Sequence, residues 1–413
     1  MNLLVGRFTR RLAGLCSGIG GGATVRRNRA VPVGLLVAAG LFTVTMAASD
    51  PLDDASVEPG EVLVVEPSGD FLTEVAQFDV TVVERVRLDA IDADVYRVRP
   101  PDGVSVEETI AVLREHFPGV GIDANHTFMP SAATPAGNGG PNSWARSVSG
   151  WSPVAADCGR GVRVGMIDAP VDVDHPALAG QRVEYRSFHN PDRRPALAVH
   201  GTAVAAMLIG RPSEQGWGGI LPGAELKAAN VFEYNEAGQL VGNSVALLKA
   251  FDWMVAEGVH VVNLSMAGGD SAALRSVIEY ARNKGLVTVA AAGNGGRADR
   301  PAYPAAYDDV IAVTAFGPDG DLYDMANRGS YIDFAAPGVG IWTAVPDGGR
   351  VQSGTSFAVP YVSAQVAVEV AGGTASRPEV LRELLQNRAV DMGSPGKDDG
   401  YGWGFVAEEP SCS

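Results

Sequence analysis

Cysteine is nearly missing from this chain. There are three in 413 residues, none in a CxxC pair and none close to a histidine at zinc-ligand spacing. That excludes a scaffold built on disulfides and gives metal-centred chemistry no support. Positive charge is also scarce: 32 Lys and Arg stand against 48 Asp and Glu, for a formal net charge of −16. Arg7, Arg10, Arg11, Arg26, Arg27 and Arg29 fall near the amino terminus, so the remainder is more acidic still. Such a surface is not expected to bind nucleic acid. Long apolar runs are absent apart from AVPVGLLVAAGLFTVTMAAS, residues 30–49, which follows Arg26–Arg29 and ends in small residues. A positive stretch before an apolar one is the pattern of a secretory signal, placed here within residues 1–49. A run of about twenty residues also just spans a bilayer, so a membrane anchor formed by residues 30–49 stays open.

What is present is enough apolar material, 46% of residues, to bury a large core and more than one domain. From Val57 to Pro130 the chain reads strand EVLVVE, helix DFLTEVAQF, strands VTVVERVRL and ADVYRVRP, helix SVEETIAVLREHF, then a strand around GVGIDANHTF. That βαββαβ order is the ferredoxin-like arrangement of a small α+β domain. SAATPAGNGGPNS, residues 131–143, is rich in Gly, Pro, Ser and Asn and reads as an exposed linker open to proteolysis. From residue 144 to 413 the pattern changes to short continuous apolar strands alternating with helices: VRVGMID, AVAAMLIG, AELKAANVF, SVALLKAFDWMVAEG, HVVNLSM, LRSVIEYARNKG, LVTVAAAG and VIAVTAF. Strands buried on both faces and separated by helices imply an α/β fold with a doubly wound parallel sheet, whose sites gather at the carboxyl ends of the strands.

Four polar residues fall at such positions. VRVGMID ends on Asp168; His200 opens the apolar helix HGTAVAAML; Asn294 ends a strand and is followed by glycines; Ser356 sits between a glycine turn and the small-residue helix SFAVPYVSAQVAVEV. Each alone reads equally well as a cap or a turn former. Together they supply an acid, a base, an amide donor and a nucleophile. A serine at a helix start also has the positive end of the dipole and a free backbone N–H beside its hydroxyl.

The blocks VGMID, HGTAVA, VVNLSMAGG, AAAGNGG and SGTSFAVPYVSA, in the order Asp168, His200, Asn294, Ser356, resemble those of the subtilisin-like serine proteases. The resemblance covers roughly residues 144 to 407. It implies Ser356 as nucleophile, His200 as general base and then acid, Asp168 as the group fixing the imidazole, and Asn294 as oxyanion donor. It further implies that residues 57–130, ending in DANHTF, are a propeptide acting as chaperone and intramolecular inhibitor, and that the protein cuts itself in the 131–143 region.

The resemblance also implies that polypeptide substrates pair as an added strand with Ser265, Met266, Ala267, Gly268 and Gly269 on one side and with the loop and strand near Gly238 to Gly242 on the other. Ala302 would floor the first specificity pocket. With no acid near it in sequence, an apolar or aromatic P1 residue is expected. Two positions depart from the family: Ala169-Pro170 follows the aspartate, and Ala203 replaces the second histidine of its HGTH block. The stretch IGRPSEQGWGGILPGAEL lacks the oxygen-rich loop that holds calcium in many relatives, so no calcium is expected there. No cofactor and no other metal is implied.

An exported endopeptidase, secreted or periplasmic, is therefore the expectation, with a membrane-anchored form facing out of the cytoplasm as the alternative. A catalytically impaired peptide-binding pseudoprotease and an esterase or amidase are the competing functions. Cys158 and Cys412 are the cysteines left once Cys16 departs with the signal. A bridge between them would close a loop of roughly 250 residues, which the chain-entropy model values at about 5 kcal/mol.

Overall fold

The computed structural model describes residues 57–65, 69, 71–131, 144–149, 155–298 and 300–406. Residues 1–49, read above as signal or anchor, most of the 131–143 segment, and Cys412 lie outside the described residues.

The amino-terminal part alternates strands with two short helices: β1 (Val57–Val65), α1 (Phe71–Val75), β2 (Thr81–Leu88), β3 (Ala93–Arg99), α2 (Val106–His116) and β4 (Gly121–Pro130). The strands lie in the order β2-β3-β1-β4, antiparallel throughout. α2 starts where Ser105 accepts from the Glu108 N–H and Glu108 accepts from the Ser105 N–H, both at 3.1 Å, a reciprocal cap that satisfies two free donors. Phe71, Val75, Leu113 and Phe117 from the helical side then cover Val62, Val64, Tyr96, Val98 and Ile122 of the sheet. This small core is separate from those of the larger domain.

The remainder runs α3 (Trp144–Ser149), β5 (Arg163–Asp168), β6 (Arg182–Ser187), α4 (Val199–Ile209), β7 (Glu225–Asn230), β8 (Phe232–Tyr234), β9 (Leu240–Asn243), α5 (Ser244–Ala256), β10 (Val261–Leu264), β11 (Met266–Gly268) and α6 (Ala272–Asn283). It continues with β12 (Val287–Ala291), β13 (Val310–Phe316), β14 (Phe334–Pro337), β15 (Ile341–Val345), β16 (Gly348–Gln352), α7 (Thr355–Ala371), α8 (Pro378–Gln386), β17 (Ala389–Val390) and β18 (Phe405–Val406). A nine-stranded sheet in the order β17-β18-β14-β13-β12-β10-β5-β7-β6 forms its centre. All its neighbours pair in parallel except β17 with β18.

Every residue of β10, β12 and β13 is buried, because alternate side chains enter two different cores. Val261, Val287, Val289 and Val313 pack with α4 and α7 on one face. Val262, Leu264, Ala290 and Ala312 pack with α5 and α6 on the other. This three-layer arrangement is what continuous Val, Ile and Ala runs require, and the polar residues of these strands, Asn263, Thr288 and Thr314, are buried with them.

One strand joins the two parts. β4 leaves its own sheet and inserts between β9 and β11: Thr127 and Phe128 pair with Asn243 and Gly242, while Phe128, Met129 and Pro130 pair with Gly268, Ala267 and Met266. Ser131, assigned above to an exposed linker, is instead buried, with its N–H donating to Ser265 O at 3.0 Å. Local composition suggested solvent; pairing to segments more than a hundred residues away decides otherwise. Polar contacts add to the junction. Asp123 accepts from the Ala272 N–H at the start of α6 at 2.6 Å, and Asp252 accepts from the N–H groups of Ala90 and Ile91. Arg193 makes two hydrogen bonds to Glu58 and one to Glu233.

Candidate active site

Asp168 is the last residue of β5 and is fully buried. The Ala169-Pro170 turn packs against the start of α4, which follows β6 in the chain. Gly201 permits this: a Cβ there would lie 2.2 Å from the Ala169 carbonyl oxygen. The close approach brings His200 Nδ1 to 2.5 Å from Asp168 Oδ1, which also accepts from the Ala169 N–H at 2.6 Å. An Nδ1–H donating to a carboxylate fixes the tautomer and leaves Nε2 as the acceptor nitrogen. Nε2 is buried and has no hydrogen-bond partner among the described residues. The ring rests against Phe357, centroid to centroid 5.5 Å.

Ser356 is the second residue of α7, a helix buried from Thr355 to Ala367. Its own N–H has no earlier turn to bond to, and the helix dipole places partial positive charge at that end. Pro360 lies one turn on, so the Ser356 carbonyl lacks the usual i+4 donor. It faces the Ser265 hydroxyl at 3.5 Å instead.

Asn294 follows β12 and is clamped by residues that sequence reasoning did not single out. Its Oδ1 accepts from both the N–H and the hydroxyl of Thr355, each at 3.0 Å, which turns its Nδ2 outward. The same Thr355 oxygen accepts from the Gly293 N–H at 3.2 Å. Asn327 holds the loop on either side: its Oδ1 accepts from the Gly295 and Arg297 N–H groups and its Nδ2 donates to Ala292 O. Tyr331 also donates to Ala292 O at 3.0 Å, and burial pushes its phenol up to about 12, so it stays neutral. Thr355 was within reach of sequence reasoning as the neighbour of Ser356; nothing in the sequence marks Asn327.

These groups converge on one carbonyl. Ser131 O accepts from Ser356 Oγ at 2.5 Å and from Asn294 Nδ2. The Ser131 N–H is tied to Ser265 O, and β4 behind it lies between β9 and β11, so the end of the amino-terminal part occupies the groove as a bound strand. Of the residues expected along that groove, Met266, Ala267 and Gly268 form β11 itself, and Gly269 faces the His126 ring just beyond it. Ala302 is buried beside Gly293. Gly238 does not reach the strand: it is exposed in the turn joining β8 to β9, and Gly242 makes the pairing instead. Cys158 is buried ahead of β5.

A doubly wound sheet that collects an aspartate, histidine, asparagine and serine at strand ends and helix starts, around an extended peptide, has the layout of a serine peptidase. Comparison with known proteins agrees. The model of the subtilase family matches residues 159–404, more than half the chain. This protein belongs to the subtilase family of serine proteases. It is 31% identical over 253 residues to the minor extracellular protease Epr of Bacillus subtilis (strain 168), covering 60% of this chain and 38% of Epr. With the subtilisin of Bacillus pumilus it shares 30% identity over 243 residues, 57% of this chain and 86% of that protein. The structure of fervidolysin from Fervidobacterium pennivorans, at 22% identity, shares the fold over 87% of this chain and 63% of its own, with a TM-score of 0.68.

Proposed function

We propose that this protein is an exported, self-processing serine endopeptidase whose first substrate is its own Ser131–Ala132 bond. The observation that carries this is the Ser131 carbonyl oxygen, bonded at once by Ser356 Oγ and Asn294 Nδ2. Ser356 Oγ attacks the carbonyl carbon while its proton passes to His200 Nε2, and Asp168 steadies the imidazolium that forms. Charge on the oxygen is met by Asn294 Nδ2 and the Ser356 N–H. Collapse expels the Ala132 amine, protonated by His200, and water then releases the Ser131 carboxylate by the same path.

Residues 57–131 act in this reading as a ferredoxin-like propeptide and inhibitor. Their βαββαβ order, the strand order β2-β3-β1-β4 and the occupied groove support it. Export rests on the apolar run of residues 30–49 and on likeness to an extracellular protease, and a Cys158–Cys412 bridge would suit that oxidising setting.

A fluorophosphonate probe is expected to label Ser356 in the processed protein, and Ser356→Ala is expected to accumulate uncut. Sequencing of the processed chain should begin at Ala132. Equal processing of Ser356→Ala and wild type would assign the cut to another protease, and an unlabelled folded protein would favour the peptide-binding pseudoprotease.

A further inference from the structure

We infer that the pocket beside the cut bond admits only small side chains, with Ala267 as the residue that closes it, so that substrates are polypeptides cleaved after alanine or a residue of similar size. This rests on Ser131 being the residue whose carbonyl is attacked.

Ser131 spans the gap between two segments. Its N–H is held by Ser265 on one side and its carbonyl by Asn294 on the other. Ala267 lies two residues on from Ser265, on the same side of that extended segment, and Gly293 is next to Asn294, so a longer side chain at this position would have to enter between them. The gap there is shut: a Cβ built on Gly293 lies 3.2 Å from the Ala267 methyl and 3.4 Å from the Ala302 methyl. The Ala267 methyl is thus within about 4.7 Å of the Gly293 Cα, whereas a carbon passing between them needs about 3.5 Å on each side, roughly 7 Å in all. Asn327 Nδ2, 2.5 Å from the same point, blocks the way behind Gly293 and is itself fixed by its bond to Ala292 O.

The pocket is also unsuited to polar side chains. The Ser131 hydroxyl is buried and has no hydrogen-bond partner among the described residues. Ser131 is therefore accepted for its size, and its hydroxyl gains nothing. The expectation from Ala302 of an apolar or aromatic residue is narrowed accordingly: apolar is kept and aromatic is dropped.

The full-length chain provides the test. Ser131→Ala is expected to process at least as fast as wild type, and Ser131→Phe at least about a hundredfold slower, in line with the selectivity that one or two misfitting carbons produce. Adding Ala267→Gly to Ser131→Phe should recover at least tenfold of that loss. On the processed protein, peptides varied only at P1 should give kcat/KM in the order Ala, Ser, then far behind Leu and Phe, and Ala267→Gly should shrink the Ala-to-Phe ratio at least tenfold. Efficient processing of Ser131→Phe by a chain whose Ser356 takes the fluorophosphonate probe would overturn the small pocket and leave the enzymatic reading intact. Failure of all variants to process, with no probe on Ser356, would overturn the enzymatic reading itself and the pocket with it.

Discussion

The side-chain amide of Asn294 is useful only because something else decides which way it points. Thr355 occupies its oxygen with two donors, so the nitrogen is directed at the Ser131 carbonyl without any search among rotamers. On the proposed mechanism Asn294→Ala lowers kcat by about 10² to 10³ with little change in KM, the usual loss for one oxyanion donor. Thr355→Val removes one of the two bonds to the donor's other end and also the acceptor of the Gly293 N–H, so a loss of at least about tenfold in kcat is expected, matching at least one hydrogen bond of about 1.4 kcal/mol. Thr355→Ser should restore most of it. Steady-state kinetics on a soluble peptide decides, and a Thr355→Val effect confined to KM would assign the residue to substrate binding instead. At this scale the sequence was informative. Asp168, His200, Asn294 and Ser356 each lie at a boundary that local patterning reveals. Thr355 and Asn327 act through bonds to loops 30 to 60 residues away, and local patterning carries no trace of that.

Among the elements, α6 has an unusual amino terminus. Ser271 caps it from within, accepting from the Leu274 N–H, while a second donor, the Ala272 N–H, is taken by Asp123 from the other domain. Burial pushes the Asp123 carboxyl up, but hydrogen bonds and charge from His126 and the N–H groups of Ala272 and Ala124 outweigh it, and the folded value lies below the ordinary one. Arg114 stands 3.7 Å away. A lowered carboxylate stabilises the folded form above its unfolded value, about 3.9, and the contribution disappears as pH falls through the folded one. In the Ser356→Ala background, Asp123→Asn is expected to cost about 1.5 to 3 kcal/mol at neutral pH. Denaturant unfolding should show that difference close on acidification; a difference persisting at acid pH would mean that the charge is not what matters.

Sequence patterning located β1 to β4, most of the parallel strands and the helix α2, while the Ser105 cap that starts α2 emerged only in the structure. It stopped the last strand of the amino-terminal part near Phe128, whereas β4 runs to Pro130. Met129 and Pro130 have no intrinsic claim to a strand; β11 supplies it by offering free backbone groups. The hairpin β15–β16 and the short β14, β17 and β18 were not anticipated, because glycine and proline interrupt the apolar alternation there.

For the molecule as a whole, the junction combines an apolar face, with Leu63, Val65, Leu88, Val95 and Phe128 in one core with side chains of α5 and α6, and a buried ionic anchor. Arg193 bridges Glu58 of the amino-terminal part at 2.6 and 2.9 Å and Glu233 of the larger domain, itself fully buried, at 2.9 Å. Removing Glu58 leaves Arg193 paired with Glu233 alone, so the larger domain loses little while the junction loses two charge-assisted bonds. On the proposed reading of residues 57–131 as an inhibitor, Glu58→Gln is expected to weaken inhibition by the cut fragment about thirtyfold, corresponding to about 2 kcal/mol. Inhibition of the processed enzyme by added fragment measures it, and an unchanged inhibition constant would remove Glu58 from the account.

The strand from Thr127 to Ser131 has one further consequence, which concerns concentration. While the chain is intact, groove and strand are parts of one molecule, and the occupancy of the groove is the same in a dilute or a crowded solution. If the Ser131–Ala132 bond is cut as proposed, the strand becomes a separate solute and mass action governs its contacts. Such a cut leaves the pairing of Thr127 to Pro130 with β9 and β11 available and changes the law that those contacts obey. On the proposed reading, dilution of the cut protein then favours release of the strand and an open groove.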